Sequence, residues 1–69
     1  MEEAQEIGKV EISDTVSIVI RKVKFKGNWY VDIRKAVKTA KYDGLTAKGI
    51  FIPANKFYEV LTILGRVEV

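Results

Sequence analysis

The chain has 69 residues, a net charge of +3 and neither cysteine nor histidine, which excludes disulfides and the usual zinc ligands. A chain this short buries only about 60% of the surface that its unfolded form exposes, and 48% of its residues are hydrophobic. We therefore expect one domain over residues 1–69 that gains stability by forming a homodimer.

The N-terminal segment, residues 1–6, is acidic where a secretory signal would be basic and then apolar. No run of about 18 apolar residues follows it. These features predict an intracellular protein, in the cytoplasm and nucleoid or in a eukaryotic nucleus, with no membrane partner. We expect residues 1–6 to be frayed.

The first half of the chain predicts antiparallel strands. Weak alternation over residues 7–12 allows an edge strand, and the β-branched run that begins at Val16 predicts a strand that continues to Phe25. Lys26-Gly27-Asn28 supplies a turn, after which a second strand returns from Trp29 to about Ala36.

The second half adds strands and then a helix, which makes the fold class α+β. Asp43-Gly44 predicts another hairpin turn, with a short strand allowed over residues 39–42 before it. Residues 46–52 predict a strand that ends at Pro53, which cannot continue a ladder. The tail, residues 66–69, alternates like a strand and is expected to pair with residues 9–12.

Apolar residues recur at helical spacing between residues 54 and 64, and Gly65 follows at the C-cap position. The simplest interpretation is that this apolar strip covers the sheet. Tyr58 and Ile63 make the strip wider than one small sheet can cover, which favours a dimer interface. The predicted interface residues are Phe57, Val60, Leu61, Ile63 and Leu64.

Catalysis is not predicted. The commonest general base and the thiol nucleophile are missing, and neither Ser13 nor Ser17 has a neighbour that would activate it. Gly27, Gly44 and Gly49 are isolated, so no glycine-rich phosphate loop is present. We expect no enzyme activity, no metal site and no cofactor.

A basic block, residues 21–48, is the positive signal. It holds nine cationic side chains and two carboxylates, a net charge of +7, and four of the seven aromatic residues. Single-stranded nucleic acid exposes phosphates and base faces, so its binding surface needs cations and rings together. The alternative is that the lysines keep an edge strand soluble while the rings fill the core; we favour nucleic-acid binding.

The length of the turn after Phe25 decides which way that ring faces. A three-residue turn, Lys26–Asn28, places Phe25 on one apolar face with Trp29, and leaves Tyr30 and Arg34 on the other. This turn would separate apolar side chains on one face from polar and charged side chains on the other.

A two-residue turn, Lys26-Gly27 or Gly27-Asn28, instead places Phe25 with Tyr30, Asp32 and Arg34. Lys22 and Lys24 then lie opposite Trp29, and a bulge near Arg21 is needed to keep Ile18 and Ile20 buried.

Several short motifs occur in a recognisable order: Phe25-Lys26-Gly27, Val31-Asp32-Ile33-Arg34, Lys48-Gly49-Ile50 and a Pro-initiated helix with an aromatic at Phe57. In this order and spacing, residues 16–64 resemble the single-stranded-DNA-binding domain of the transcriptional coactivator positive cofactor four. The resemblance implies a strongly curved four-stranded antiparallel sheet with one C-terminal helix. It also implies a homodimer in which two β-ribbons line a DNA channel.

By matching position, the resemblance implies that Phe25 stacks on a base and that Lys26, Arg34 and Lys48 contact phosphate or base. We therefore expect Phe25 to face the nucleic acid. Asn28 stands where the family tends to have another cation, and Ala36-Val37 replaces an expected aromatic, whose place Tyr30, Trp29 or Tyr42 would take. The predicted binding residues are Arg21, Lys22, Lys24, Phe25, Lys26, Asn28, Tyr30, Arg34, Tyr42 and Lys48.

Taken together, these features predict single-stranded DNA binding with little sequence preference, by a transcription cofactor or a genome-maintenance protein. The expected partners are single-stranded DNA, a second copy of the chain and the transcription machinery. Two alternatives stay open: an RNA or double-stranded-DNA chromatin-type binding protein, and a protein-interaction dimer that pairs its edge strands with a partner.

Overall fold

The computed structural model describes residues 2–69 as four antiparallel strands followed by one helix. The sheet is open, with strand order β1-β2-β3-β4. A 3-10 turn, Ala54–Lys56, connects the sheet to the helix. The predicted α+β class, the antiparallel order and the C-terminal helix are confirmed. The elements are β1 (Glu3–Glu11), β2 (Val16–Phe25), β3 (Asn28–Lys38), β4 (Asp43–Pro53) and α1 (Phe57–Leu64).

The N-terminal segment is ordered, so the expectation that residues 1–6 are frayed is wrong for residues 3–6; Met1 lies outside the described residues. β1 begins at Glu3, which pairs with Lys24, and Glu6 pairs with Arg21. Opposite charges across antiparallel strands are favourable. The acidic start of the chain is therefore held against the basic strand β2.

The connection between β3 and β4 is residues 39–42, so the Asp43-Gly44 turn and the short strand at 39–42 are both wrong. The Thr39 hydroxyl accepts hydrogen bonds from the backbone N–H groups of Lys41 and Tyr42. This side-chain contact closes the turn, and Asp43 already pairs with Lys38 in the ladder.

The tail does not form a strand. Residues 67–69 have no regular structure, and residues 9–11 pair with β2 rather than with the tail. In the described sheet β1 has β2 as its one neighbour, so the local alternation of residues 66–69 does not lead to pairing with residues 9–12.

The turn between β2 and β3 contains two residues, Lys26 and Gly27, and Phe25 pairs with Asn28. Both turn residues have positive φ, 53° and 79°, as a type I′ hairpin turn requires. The two-residue alternative is confirmed and the three-residue turn is wrong. We call the two surfaces of the sheet the Phe25 face, with Phe25, Tyr30, Asp32 and Arg34, and the Trp29 face, with Lys22, Lys24, Trp29, Val31 and Ile33.

The expected bulge near Arg21 lies in a different strand. Pairing between β2 and β3 is uninterrupted from Val16 to Phe25. The irregularity is in β1 at Ile7, between the pairs that Glu6 and Gly8 make with β2. Ile18 and Ile20 lie on the Trp29 face and are only half-buried.

The core of the single chain is small. The buried apolar residues in the described part are Val19, Val23 and Ile52, and the molecule is only 17 Å thick along its shortest axis. Helix α1 buries none of its residues and packs against the 3-10 turn rather than across the sheet. The interpretation that α1 covers its own sheet is therefore wrong. Over residues 2–69, no helix is long and apolar enough to cross a membrane.

Candidate nucleic-acid interface

A buried carboxylate, Asp32, lies at the centre of the Phe25 face between two arginines. The two-residue turn pairs Arg21 directly with Asp32 across the strands, and Arg34 follows on the same face because side chains alternate along β3. Arg21 Nε and Nη2 lie 2.8 and 2.7 Å from Asp32 Oδ2. Arg34 Nη2 lies 2.9 Å from Oδ1, and its Nε donates to both oxygens at 3.2 Å.

This ion triad keeps a net charge of +1. Asp32 is fully buried, whereas the side chains of Arg21 and Arg34 are 13% and 17% exposed. A buried carboxylate is tolerated only when it is paired and hydrogen-bonded, and two guanidinium groups satisfy that need here. These three side chains together therefore place one more positive than negative charge on the Phe25 face.

Arg34 is fixed by two further contacts. Its Nη1 donates a 3.0 Å hydrogen bond to the backbone carbonyl of Thr46 in β4, and its guanidinium carbon lies 5.6 Å from the centre of the Phe51 ring. The contact over the ring is at cation–π distance. The guanidinium is thus held by β3, by β4 and by an aromatic ring beneath it.

A bulge in β4 presents Lys48. Residues 46–48 stand opposite the single residue Lys35, between the pairs made by Arg34 and Ala36. The Thr46 hydroxyl donates to the Lys35 carbonyl at 2.9 Å and accepts the Lys48 backbone N–H at 3.1 Å. Thr46 thus replaces the missing ladder contacts, and the exposed Lys48 is directed by the bulge.

The strand closes again at Gly49 because that residue has no side chain. A Cβ there would lie 2.7 Å from the Ile33 carbonyl oxygen and 2.9 Å from Arg34 Cα, both backbone atoms. Gly49 therefore permits the close approach of β4 to the part of β3 that carries Arg34.

Two aromatic rings continue the Phe25 face towards the hairpin turn. Phe25 is 37% exposed, and the half-buried Tyr30 lies 5.5 Å from Phe51 between ring centres. Lys26 Nζ lies 5.4 Å from the centre of the Phe25 ring. The face thus combines exposed ring surface with cations, the two groups that single-stranded nucleic acid can contact.

The structure divides the predicted binding residues between the two faces. Lys22 and Lys24 lie on the Trp29 face, with their ammonium groups 4.7 and 5.8 Å from the Trp29 ring centre. Tyr42 lies in the β3–β4 connection, is 48% exposed and donates its hydroxyl to the Leu45 carbonyl. The Phe25 face brings together Arg21, Phe25, Asn28, Tyr30 and Arg34.

Four residues that build the site were not among the predicted binding residues: Asp32, Thr46, Gly49 and Phe51. Asp32 carried a usable signal, since it is one of two carboxylates in the basic block and precedes Arg34 by two residues on a strand. Thr46 and Phe51 carried none, because their roles depend on the bulge in β4. Within residues 2–69, no cluster of three metal-ligating side chains occurs.

Comparison with known proteins gives a structural likeness and no match of sequence alone. No family model matches the chain, and no curated protein does. A PC4 homolog from Burkholderia pseudomallei, in a tetragonal crystal form, superimposes with a TM-score of 0.77 at 28% identity, over 90% of this chain and 93% of that one. The orthorhombic crystal form of the same protein superimposes with a TM-score of 0.78 at 26% identity, over 99% of this chain and 97% of that one.

The likeness extends over 90% of this chain in one crystal form and 99% in the other. It also agrees with the order of motifs in the sequence. The chain therefore has a PC4-like fold over nearly its whole length, and the family resemblance read from its sequence is confirmed.

Proposed function

We propose that this protein binds single-stranded DNA, with little sequence preference, on the Phe25 face of its sheet. The observation that carries the proposal is the row of Phe25, Tyr30 and the paired arginines on one face of a PC4-like fold. The family resemblance points to the same face, since it implies that Phe25 stacks on a base and that Arg34 contacts the strand.

The chemistry of the face explains both affinity and weak specificity. A ring that stacks on a base contributes roughly 1–3 kcal/mol and accepts any base. Arg34 and the exposed Lys26 and Lys48 supply charge along a phosphate backbone. Such contacts hold the strand without reading base edges.

We further propose that the working form is a homodimer. Helix α1 buries none of its residues, and Leu61, Ile63 and Leu64 are about half exposed or more, at 49%, 60% and 53%. Ile50, on the Trp29 face, is 58% exposed. Apolar surface this extensive marks an association site, and a second copy is the occupant that the family resemblance implies.

The proposed role is that of an intracellular transcription cofactor or genome-maintenance protein, acting by binding rather than by catalysis. Its partners would be single-stranded DNA, a second copy and, in the first role, the transcription machinery.

The test is a fluorescence-anisotropy titration with labelled oligothymidine, the matching duplex and the matching RNA. We expect oligothymidine to bind most tightly, and log K to fall with log salt by about 0.7 per phosphate neutralised. Tighter binding of RNA or duplex would instead favour the chromatin-type alternative. Absence of binding to all three would favour a protein-interaction dimer. Sedimentation without DNA should give twice the monomer mass, and Leu61→Glu should reduce it.

A further inference from the structure

The buried ion triad suggests a task for Asp32 beyond stability. We propose that Asp32 is a positioning residue, which holds the Arg34 guanidinium in the orientation that contacts a DNA phosphate. This inference rests on the proposed function and names how one of its contacts is made.

The first step is geometric. Arg34 Nε lies 3.2 Å from Asp32 Oδ2 and Nη2 lies 2.9 Å from Oδ1, the bidentate arrangement that fixes a guanidinium plane. The Thr46 carbonyl takes Nη1 at 3.0 Å. A guanidinium has five N–H donors, so these contacts within the described chain leave one N–H on each Nη atom.

The second step is energetic. A free arginine side chain loses considerable rotamer freedom when it binds a ligand. Arg34 has already lost that freedom in the folded chain, because Asp32, Thr46 and Phe51 hold it on three sides. Its remaining N–H donors can therefore contact a phosphate with little further ordering, which is the advantage of a preorganised site.

Charge alone predicts the opposite effect of removing Asp32. Neutralising a carboxylate on a phosphate-binding face makes that face more positive and should tighten DNA binding. Loss of the fixed Arg34 orientation should instead weaken DNA binding. The sign of the change therefore separates the two effects.

The experiment measures oligothymidine affinity for Asp32→Asn, Arg34→Gln and the double variant. We expect Asp32→Asn to weaken binding by about ten-fold, within the range of couplings between residues in contact. In the Arg34→Gln background the same change should have almost no effect. Asp43→Asn is the matched control: it removes the other carboxylate of the basic block, at the far end of the sheet opposite Lys38, and should not weaken binding. If Asp32→Asn lowers oligothymidine affinity equally in the wild-type and the Arg34→Gln backgrounds, the proposal is overturned.

The Asp32→Asn variant leaves two arginines without their buried partner. A second variant, Arg34→Lys, avoids this because it leaves Asp32 in place. Arg34→Lys keeps the charge but lacks the planar fork. We expect it to bind oligothymidine as weakly as Arg34→Gln. If Arg34→Lys restores wild-type affinity, Arg34 acts as a mobile point charge and the proposal fails.

Nuclear magnetic resonance of the free wild-type protein tests positioning without DNA. The Arg34 Nε–H signal should exchange slowly with water and be as rigid as the backbone before oligothymidine is added. A mobile Arg34 that becomes rigid only with DNA would overturn the proposal. Failure of the wild-type protein to bind oligothymidine would overturn the proposed function instead.

Discussion

The carboxylate of Glu2 accepts a 2.7 Å hydrogen bond from the backbone N–H of Gly27, so the acidic start of the chain contacts the turn between β2 and β3. Next to it, Glu3 pairs with Lys24. An anion therefore already occupies the tip of the hairpin that carries Phe25. A DNA phosphate that approaches this tip meets a negative charge.

Glu2→Gln should tighten oligothymidine binding because it removes that charge while keeping an oxygen that can accept the Gly27 N–H. We expect a gain below about five-fold at low salt, the size of one exposed charge interaction, which fades as added salt screens the charge. Glu11→Gln is the matched control, since Glu11 pairs with Ser17 at the other end of β1. Equal gains from both variants would indicate a general charge effect.

Phe25 and Trp29 provide a test of which face binds DNA. The two rings are almost equally exposed, at 37% and 36%, but the two-residue turn places them on opposite faces. We expect Phe25→Ala to weaken oligothymidine binding by roughly 1–3 kcal/mol, the contribution of one stacked base. Trp29→Ala should weaken oligothymidine binding less, although the two variants should lower the melting temperature by similar amounts. The opposite ranking in anisotropy titrations would place DNA on the Trp29 face.

The backbone conformation of Lys26 is more favourable for asparagine than for lysine. Within residues 2–69 it is the one non-glycine residue with positive φ, at 53°, a region that costs roughly 1–2 kcal/mol for most side chains but that Asn enters more easily. Lys26→Asn creates the Asn-Gly pair preferred in type I′ turns. We expect a melting temperature higher by several degrees.

The same variant should bind oligothymidine more weakly, with a salt slope smaller by about 0.7 if Lys26 contacts one phosphate. Higher stability with unchanged binding would show that Lys26 makes no contact with DNA.

Gly49 should be intolerant of even one added carbon, although it lies at the surface. Its Cβ would overlap the backbone of Ile33 and Arg34, at 2.7 and 2.9 Å, so Gly49→Ala forces the two strands apart. We expect a loss of roughly 1–3 kcal/mol in the free energy of unfolding, as for other overpacked sites, measured by urea denaturation. Gly8→Ala is the control, because a Cβ there meets nothing within 4 Å. Equal stability of the two variants would contradict the close approach of β4 to β3.

Local pattern was enough to predict much of the fold. The β-branched run from Val16, the turn at Lys26-Gly27 and the helical spacing after Pro53 each depend on neighbours in sequence, and the structure has strands, a turn and a helix at those places. The start of β1 was not predicted. Its order depends on pairing with Lys24 and Arg21, which are distant in sequence.

The candidate site was predicted in part. The basic block and its aromatic residues follow from composition, but the partners of Arg34 do not. Thr46 reaches Arg34 only because three residues of β4 bulge opposite Lys35. No periodicity in the sequence marks that bulge.

The sequence by itself determined the class of the fold, the succession of antiparallel strands and then a helix after Pro53, and the concentration of positive charge between residues 21 and 48, because these follow from composition and from short-range periodicity. The tertiary structure decided the pairing of β2 with β3. A turn longer by one residue would place Lys22, instead of Arg21, opposite Asp32, and would move Phe25 away from Tyr30 and Arg34. Side chains alternate along a strand, so adding one residue to the turn pairs every residue of β2 with a residue that points to the other face of β3. The sequence left both turn lengths open, because Gly27 and Asn28 both tolerate positive φ and the three-residue turn gives the cleaner division of polar and apolar faces.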